Sequence, residues 1–358
     1  MQEMSKFWNQ RTRRLQPYVP GEQPQDQQYI KLNTNENSTP PSAAVLKAMH
    51  AAVDDGLNLY PDPECRALKQ SIADYYGVPV NKVFVGNGSD EVLAHIFAGL
   101  FVQNKPLASP DISYSFYPVY ARLYDITLQQ IPLSESFEID LTKYPTENGG
   151  VIFANPNAPT SLALEVDKIE TFLKRNRESV VVVDEAYVDF GAQSCVGLVA
   201  SYSNLLIVQT VSKSRSLAGL RVGIAIGAPE LIDGLERVKN SFNSYPLDKV
   251  AQAGARAAFE DEQGFEHARH ELIRVRDQAR TSLLKLEFEV LESSANFLFA
   301  SPKFMPAEAA YLALKQAGVL VRYFNSPRIS EYLRITVGSE QEMTVLVEKL
   351  IQIKQGIK

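Results

Sequence analysis

Cysteine is scarce. Cys65 and Cys195 are the only two in 358 residues, and no Cys-x-x-Cys spacing occurs. That argues against a disulfide framework and against a cysteine zinc site. Histidine is scarce too, at four residues. His267 and His270 lie three apart and read as a solvated helix face, so no metal centre is expected. No apolar run is long enough to cross a bilayer: the longest, Val92–Val102, is interrupted by His95 and reads as a buried helix. The N-terminal MQEMSKFWNQRTRRLQPY has basic residues but no apolar core of a secretory signal. Positive charge is not in excess, with 36 Lys and Arg against 42 Asp and Glu and a net charge of −6. Nucleic acid and membrane are therefore not expected partners, and a soluble cytoplasmic protein is expected.

What is present is ordinary globular composition, 45% apolar and 22% charged. At about 150 residues per domain the length suggests roughly two domains. Residues 1–30 are polar, especially GEQPQDQQ at 21–28, and read as an N-terminal arm. Residues 31–262 read as a large domain and 263–358 as a smaller α+β one. Within the large domain, short β-branched runs alternate with helical patterns: Lys82–Val85, Val151–Ala154, Val180–Val183, Leu205–Val208 and Val222–Ile226. Continuous apolar runs of this kind suit strands buried on both faces of a mostly parallel sheet flanked by helices. Phe265, Ala268, Leu272, Val275, Ala279 and Leu283 recur at helical spacing and predict a long amphipathic helix. The tail predicts strands near Val290, Asn296–Ala300, Val319–Val321 and Tyr332–Thr336. It closes with a helix announced by the capping box Ser339-x-x-Glu342.

In a parallel α/β sheet, ligands bind at the carboxyl ends of the strands. The first run is followed by Gly86-Asn87-Gly88-Ser89-Asp90-Glu91, glycines and small polar residues at a helix start, which suit an anion. The second is followed by Asn155-Pro156-Asn157-Ala158-Pro159-Thr160, a rigid turn that can aim the Asn157 amide. The third ends on Asp184-Glu185-Ala186-Tyr187, a carboxylate at a buried strand end that needs a positive partner. The fourth leads into Thr210-Val211-Ser212-Lys213 and, eight residues on, Arg221. A lysine so placed can bond covalently to an aldehyde. One ligand accounts for all four segments, pyridoxal 5'-phosphate: an aldehyde, a ring nitrogen, a ring oxygen and a phosphate.

These motifs resemble the fold-type I pyridoxal-phosphate aminotransferases, and within them the histidinol-phosphate aminotransferase branch. The resemblance extends to Leu32–Asn37, Tyr60-Pro61-Asp62, Tyr114–Pro118, Leu333–Gly338 and the Asn-Ser-Tyr-Pro at 243–246. It implies that Lys213 carries the cofactor and shuttles a proton, and that Asp184 keeps the ring nitrogen protonated. Asn157 and Tyr187 would bond the ring oxygen, and Tyr114 would stack on the ring. Ser89, Asp90, Thr210, Ser212 and Arg221 would hold the phosphate, with Tyr60 reaching the neighbouring subunit's phosphate in a homodimer. Arg334 would take the carboxylate of glutamate or 2-oxoglutarate. Arg322, Tyr18 and Asn35 would serve histidinol phosphate. Aromatic amino-acid aminotransferases and threonine-phosphate decarboxylases share the cofactor residues and stand as alternatives. Two positions depart from the family pattern, Ser161 where glycine is usual and Ser38 where proline is usual.

Overall fold

The computed structural model describes residues 5–102 and 104–356. Among the described residues thirteen strands follow in chain order: β1 Ile30–Lys31, β2 Val83–Asn87, β3 Leu107–Pro110, β4 Leu128–Ile131, β5 Gly150–Ala154, β6 Val181–Asp184, β7 Leu205–Thr210, β8 Val222–Gly227, β9 Phe288–Val290, β10 Phe297–Pro302, β11 Val319–Leu320, β12 Arg322–Tyr323 and β13 Leu333–Thr336. Seven of them form a central sheet in the order β2-β8-β7-β6-β5-β3-β4. The continuous apolar runs do what their composition requires. Val151 and Phe153, Val181 and Val183, and Leu205 and Ile207 join one core, while the intervening Ile152, Val182 and Leu206 join a second. Successive strand side chains point to opposite faces, so both faces must be covered by helices.

The sheet is mostly parallel, as expected, with one reversal. β8 runs antiparallel to both β7 and β2. Two strands were not legible in the sequence. β3 (LASP) contains a proline and little branched apolar character, and β4 (LQQI) is a half-exposed edge strand. Tertiary pairing, not local propensity, makes them strands.

The C-terminal part has its own antiparallel sheet, ordered β12-β13-β10-β9. The helix Glu262–Lys285 buries all six residues of the expected stripe. The helix Glu340–Gly356 starts at the expected capping box: Ser339 Oγ accepts from the Glu342 N–H at 3.3 Å and Glu342 Oε2 accepts from the Ser339 N–H at 2.7 Å. The tail strand read at 319–321 is β11, which pairs with β1 in a separate two-stranded sheet, while the next residues form β12, which pairs with β13. Packing here does not follow chain order, since Leu32 belongs to the C-terminal core. Residues 5–29 carry little regular structure apart from a short helix, Gln10–Arg14. Among the described residues no helix is long and apolar enough to cross a membrane.

Candidate active site

The reversed strand explains how distant residues meet. Because β8 enters the sheet from the edge where β7 and β2 end, its register sets Gly223 beside Thr210 and Val222 beside Asn87. Arg221, just before β8, thereby reaches the same edge as Asp184, Lys213 and the Gly88 turn. A chain reversal rather than loop flexibility brings Arg221 to these strand ends.

That edge contains an anion cradle. The helix Gly88–Gly99 begins there, and its first N–H groups have no acceptor within the helix. Arg221 Nη2 donates to Asp90 Oδ2 at 2.8 Å, Thr210 Oγ1 donates to Ser212 Oγ at 2.9 Å, and the Ser212 N–H donates to Thr210 Oγ1 at 3.1 Å. Close approach demands glycine at 223, and a left-handed backbone favours it at 88. A Cβ on Gly223 would lie 2.3 Å from the Gly88 carbonyl carbon and 2.4 Å from the Ser89 nitrogen. A Cβ on Gly88, which has φ +79°, would lie 2.4 Å from Arg221 Nη2. Gly223→Ala is therefore expected to destabilise the fold by about 1–3 kcal/mol, as overpacking does, and to weaken phosphate binding at the turn. Thermal unfolding with and without inorganic phosphate checks this; an unshifted melting curve would mean the turn has room to spare.

Beside the cradle, Asp184 closes β6 and is buried. Its Oδ2 accepts the Tyr117 hydroxyl at 2.8 Å and its Oδ1 accepts the Ala186 N–H at 3.2 Å. Among the described residues no cation pairs with it, and burial pushes its carboxyl up to about 6. Lys213 sits on the turn after β7. Its carbonyl accepts from Asn37 Nδ2 at 3.1 Å, and its Nζ lies 5.8 Å from the Tyr187 ring centroid. Tyr187 in turn accepts at its hydroxyl from Asn35 Nδ2 at 3.0 Å. Tyr114 donates its hydroxyl to Asp90 Oδ1 at 2.9 Å, which ties it to the cradle.

A cavity of about 520 Å³ opens in front of these residues, lined by Tyr18, Asn35, Tyr114, Tyr187, Lys213, Arg322 and Arg334 among others. Tyr18 stacks on Phe116 with ring centroids 4.5 Å apart. Arg322 and Arg334 are direct partners across the antiparallel β12–β13 pair, where like charges repel. Arg334 Nη2 donates to the Asn33 carbonyl at 2.9 Å, but its buried Nε has no acceptor. Burial first, with the Arg322 charge adding, holds this guanidinium below its ordinary value. Two guanidiniums on one wall, one with an orphaned N–H, make a site for an anion.

Eight expected residues do not line this cavity: Ser89, Asp90, Asp184, Thr210, Ser212 and Arg221, which lie at the strand-end edge, and Asn157 and Tyr60. Asn157 is buried with its amide engaged: Nδ2 donates to the Ile112 carbonyl at 2.9 Å and to Thr160 Oγ1 at 3.1 Å, while Oδ1 accepts from Ser113 Oγ at 2.7 Å. Tyr60 is 81% exposed and stacks on Tyr245, 4.6 Å between centroids. Ser161 takes φ +65°, the left-handed region that glycine occupies at least cost. It is held there by the C-terminal unit: its Oγ donates to the Glu292 carbonyl at 2.9 Å and its carbonyl accepts the Ser294 N–H at 3.0 Å. Tyr117 and Ser113 are the site residues that the sequence reading passed over. Tyr117 stood inside a quoted motif, but nothing in the spacing says which carboxylate its phenol meets.

The sequence profile of the family "Aminotransferase class I and II" matches residues 27–350. The chain is 57% identical over 350 residues to histidinol-phosphate aminotransferase 1 of Hydrogenovibrio crunogenus, covering 98% of each chain. It is 53% identical over 347 residues to histidinol-phosphate aminotransferase of Clostridium acetobutylicum, covering 97% of this chain and 99% of that one. In fold it is similar to the crystal structure of histidinol-phosphate aminotransferase from Sinorhizobium meliloti in complex with pyridoxal-5'-phosphate. The TM-score is 0.88 at 21% identity, over 99% of both chains.

Proposed function

Because the chain belongs to the class I and II aminotransferases, we propose that it exchanges an amino group between histidinol phosphate and 2-oxoglutarate, a step of histidine biosynthesis. The products are imidazole-acetol phosphate and glutamate. The observation that carries the substrate reading is the Arg322–Arg334 pair on the cavity wall. One site must accept a carboxylate in one half-reaction and a phosphate in the other, and the planar guanidinium fork takes either with two hydrogen bonds.

The cofactor is pyridoxal 5'-phosphate, and the residues fit it. The free N–H groups at the start of the helix Gly88–Gly99, beside Arg221, match a phosphate, and a buried carboxylate with no cation paired to it matches a protonated ring nitrogen. When bound, it supplies an aldehyde that carries the amino group and a cationic ring that withdraws electrons from the substrate Cα. The chain's residues divide the remaining work. Ser89, Asp90, Thr210, Ser212 and Arg221 bind the phosphate, and Tyr114 covers the ring. Asp184 holds the proton on the ring nitrogen. Tyr187 donates to the ring oxygen and is itself held by Asn35. Asn157 shares that role if one of its N–H groups turns from Thr160 Oγ1. Lys213 would hold the aldehyde carbon and, once free of it, its amine would take the proton from the substrate Cα. Arg334 orients the donor's carboxylate. Arg322 and Tyr18 receive the phosphate end of histidinol phosphate.

The active form is read as a cytoplasmic homodimer. Leu57, Leu59 and Tyr60 are exposed on one short stretch, which suits a covered surface from which Tyr60 reaches the partner's cradle. A spectral titration of the cofactor-loaded protein tests the substrate reading. Glutamate and histidinol phosphate are each expected to discharge the visible band, with phenylalanine at least tenfold slower. Faster discharge by phenylalanine would make the enzyme an aromatic amino-acid aminotransferase, and release of carbon dioxide would make it a decarboxylase.

A further inference from the structure

Asp184 has two oxygens and one outstanding task, to face a cationic ring nitrogen. What fixes its other hydrogen bonds therefore fixes how it does so. Tyr117 is buried at the first residue of the helix Tyr117–Leu123, with Pro118 next, so its backbone position is set by a helix start. Its ring meets Tyr114 edge-on, at 5.6 Å and 88°. The two phenols of this one segment reach two carboxylates: Tyr114 reaches Asp90 beside Arg221, and Tyr117 reaches Asp184. A single turn thus spans the phosphate end and the ring-nitrogen end of the site.

We infer that Tyr117 is a positioning residue for Asp184: its hydroxyl occupies Oδ2, turns the carboxylate toward the cavity edge and favours its ionised form. The inference rests on Asp184 being the ring-nitrogen partner. A phenol buried this deeply stays protonated, since burial and the Asp184 charge both push its ionisation up. It is a permanent donor. A hydrogen bond donated to a carboxylate stabilises the charged form, against the burial that opposes it here. The other titratable groups facing Asp184 are Asp90, which opposes ionisation, Lys213, which favours it, and the buried phenol of Tyr120. With no cation pairing directly, the phenol and the Ala186 N–H are the neutral donors that support the carboxylate.

The test is Tyr117→Phe, which keeps the ring and removes only the donor. In cofactor-free protein carrying ¹³C-carboxyl aspartate, the Asp184 resonance, assigned by its loss in Asp184→Asn, is titrated by NMR. Its midpoint is expected to rise by about one to two pH units, the size of a hydrogen bond to a charged group. In parallel, the dissociation constant for pyridoxal phosphate at pH 7 is expected to rise roughly tenfold, the equivalent of one such unit. It should recover as pH is raised past the shifted midpoint. An unmoved Asp184 titration overturns the inference whatever the cofactor does. A moved titration with unchanged cofactor affinity supports Tyr117's hold on Asp184 and removes Asp184 from the ring nitrogen, so the two readings fail separately. If Tyr117→Phe does not fold, 3-fluorotyrosine at position 117 retains the shape and is a stronger donor. The Asp184 midpoint must then fall, and a rise or no change overturns the inference.

Discussion

Lys213→Ala is expected to abolish turnover and, with it, the visible absorption that the bound cofactor has when joined to this amine. Two roles meet in one atom. The amine would hold the cofactor's aldehyde carbon and, once free, would be the base for the Cα proton. A general base alone is worth about 10²–10⁴ in rate, so losing both roles should cost at least about 10⁴. The fold should survive. Lys213 is half-buried, among the described residues its Nζ makes no hydrogen bond, and its main chain is held independently by Asn37. A chemical rather than a structural defect is therefore expected, with a melting temperature near the wild type's. Absorbance spectroscopy with single-turnover mixing of glutamate checks it. A variant that kept its colour and discharged at more than a hundredth of the normal rate would remove Lys213 from the centre of the reaction.

The difference between Lys213 and Tyr117 shows where sequence reading reaches its limit. Lys213 and Asp184 were legible because buried strands are continuous apolar runs, so a charged residue at the end of one, as at Val181–Asp184, demands an explanation. The long helix from Glu262 and the Ser339 cap were legible because periodicity and capping are local. Tyr117 was not, because its meaning lies in which of two nearby carboxylates its hydroxyl meets, a matter of side-chain direction across 67 residues of chain. The β8 reversal was hidden for a similar reason. An apolar run buried on both faces looks the same whichever way it is threaded, yet the reversal is what delivers Arg221 to the cradle. Strands β3 and β4 were hidden because pairing creates them. Ser161 was visible as a departure from the family pattern. Its accommodation was not, since the carbonyl that holds it comes from residue 292.

Asp184→Asn is expected to slow Cα proton abstraction severely while stabilising the cofactor-free protein. Both follow from the same unpaired charge. With cofactor bound, the carboxylate would serve as the buried ionic partner of the ring nitrogen. Removing one partner of such a pair costs about 3–5 kcal/mol, roughly two to four orders of magnitude in rate if it is felt in the transition state. Without cofactor, burial lifts the Asp184 carboxyl from 3.8 to about 6. The folded state then binds its proton more tightly than the unfolded chain does. This proton-linked stability is fully present below pH 3.8 and is lost as pH rises through 6. A lift of about two units corresponds to about 3 kcal/mol. Asparagine accepts the Tyr117 hydroxyl without carrying the charge. The cofactor-free variant should therefore unfold about 2–3 kcal/mol less readily than wild type at pH 7.5, an advantage that fades between pH 6 and pH 4. Denaturant unfolding across that range, with single-turnover rates on the loaded enzyme, reads both effects. Equal stability at pH 7.5 would mean that Tyr117 and the Ala186 N–H already offset the buried charge. A near-normal rate would mean that the ring nitrogen has its proton from elsewhere. The expected combination, a more stable fold with a crippled reaction, would place the cost of this carboxylate in the fold and its benefit entirely in the chemistry.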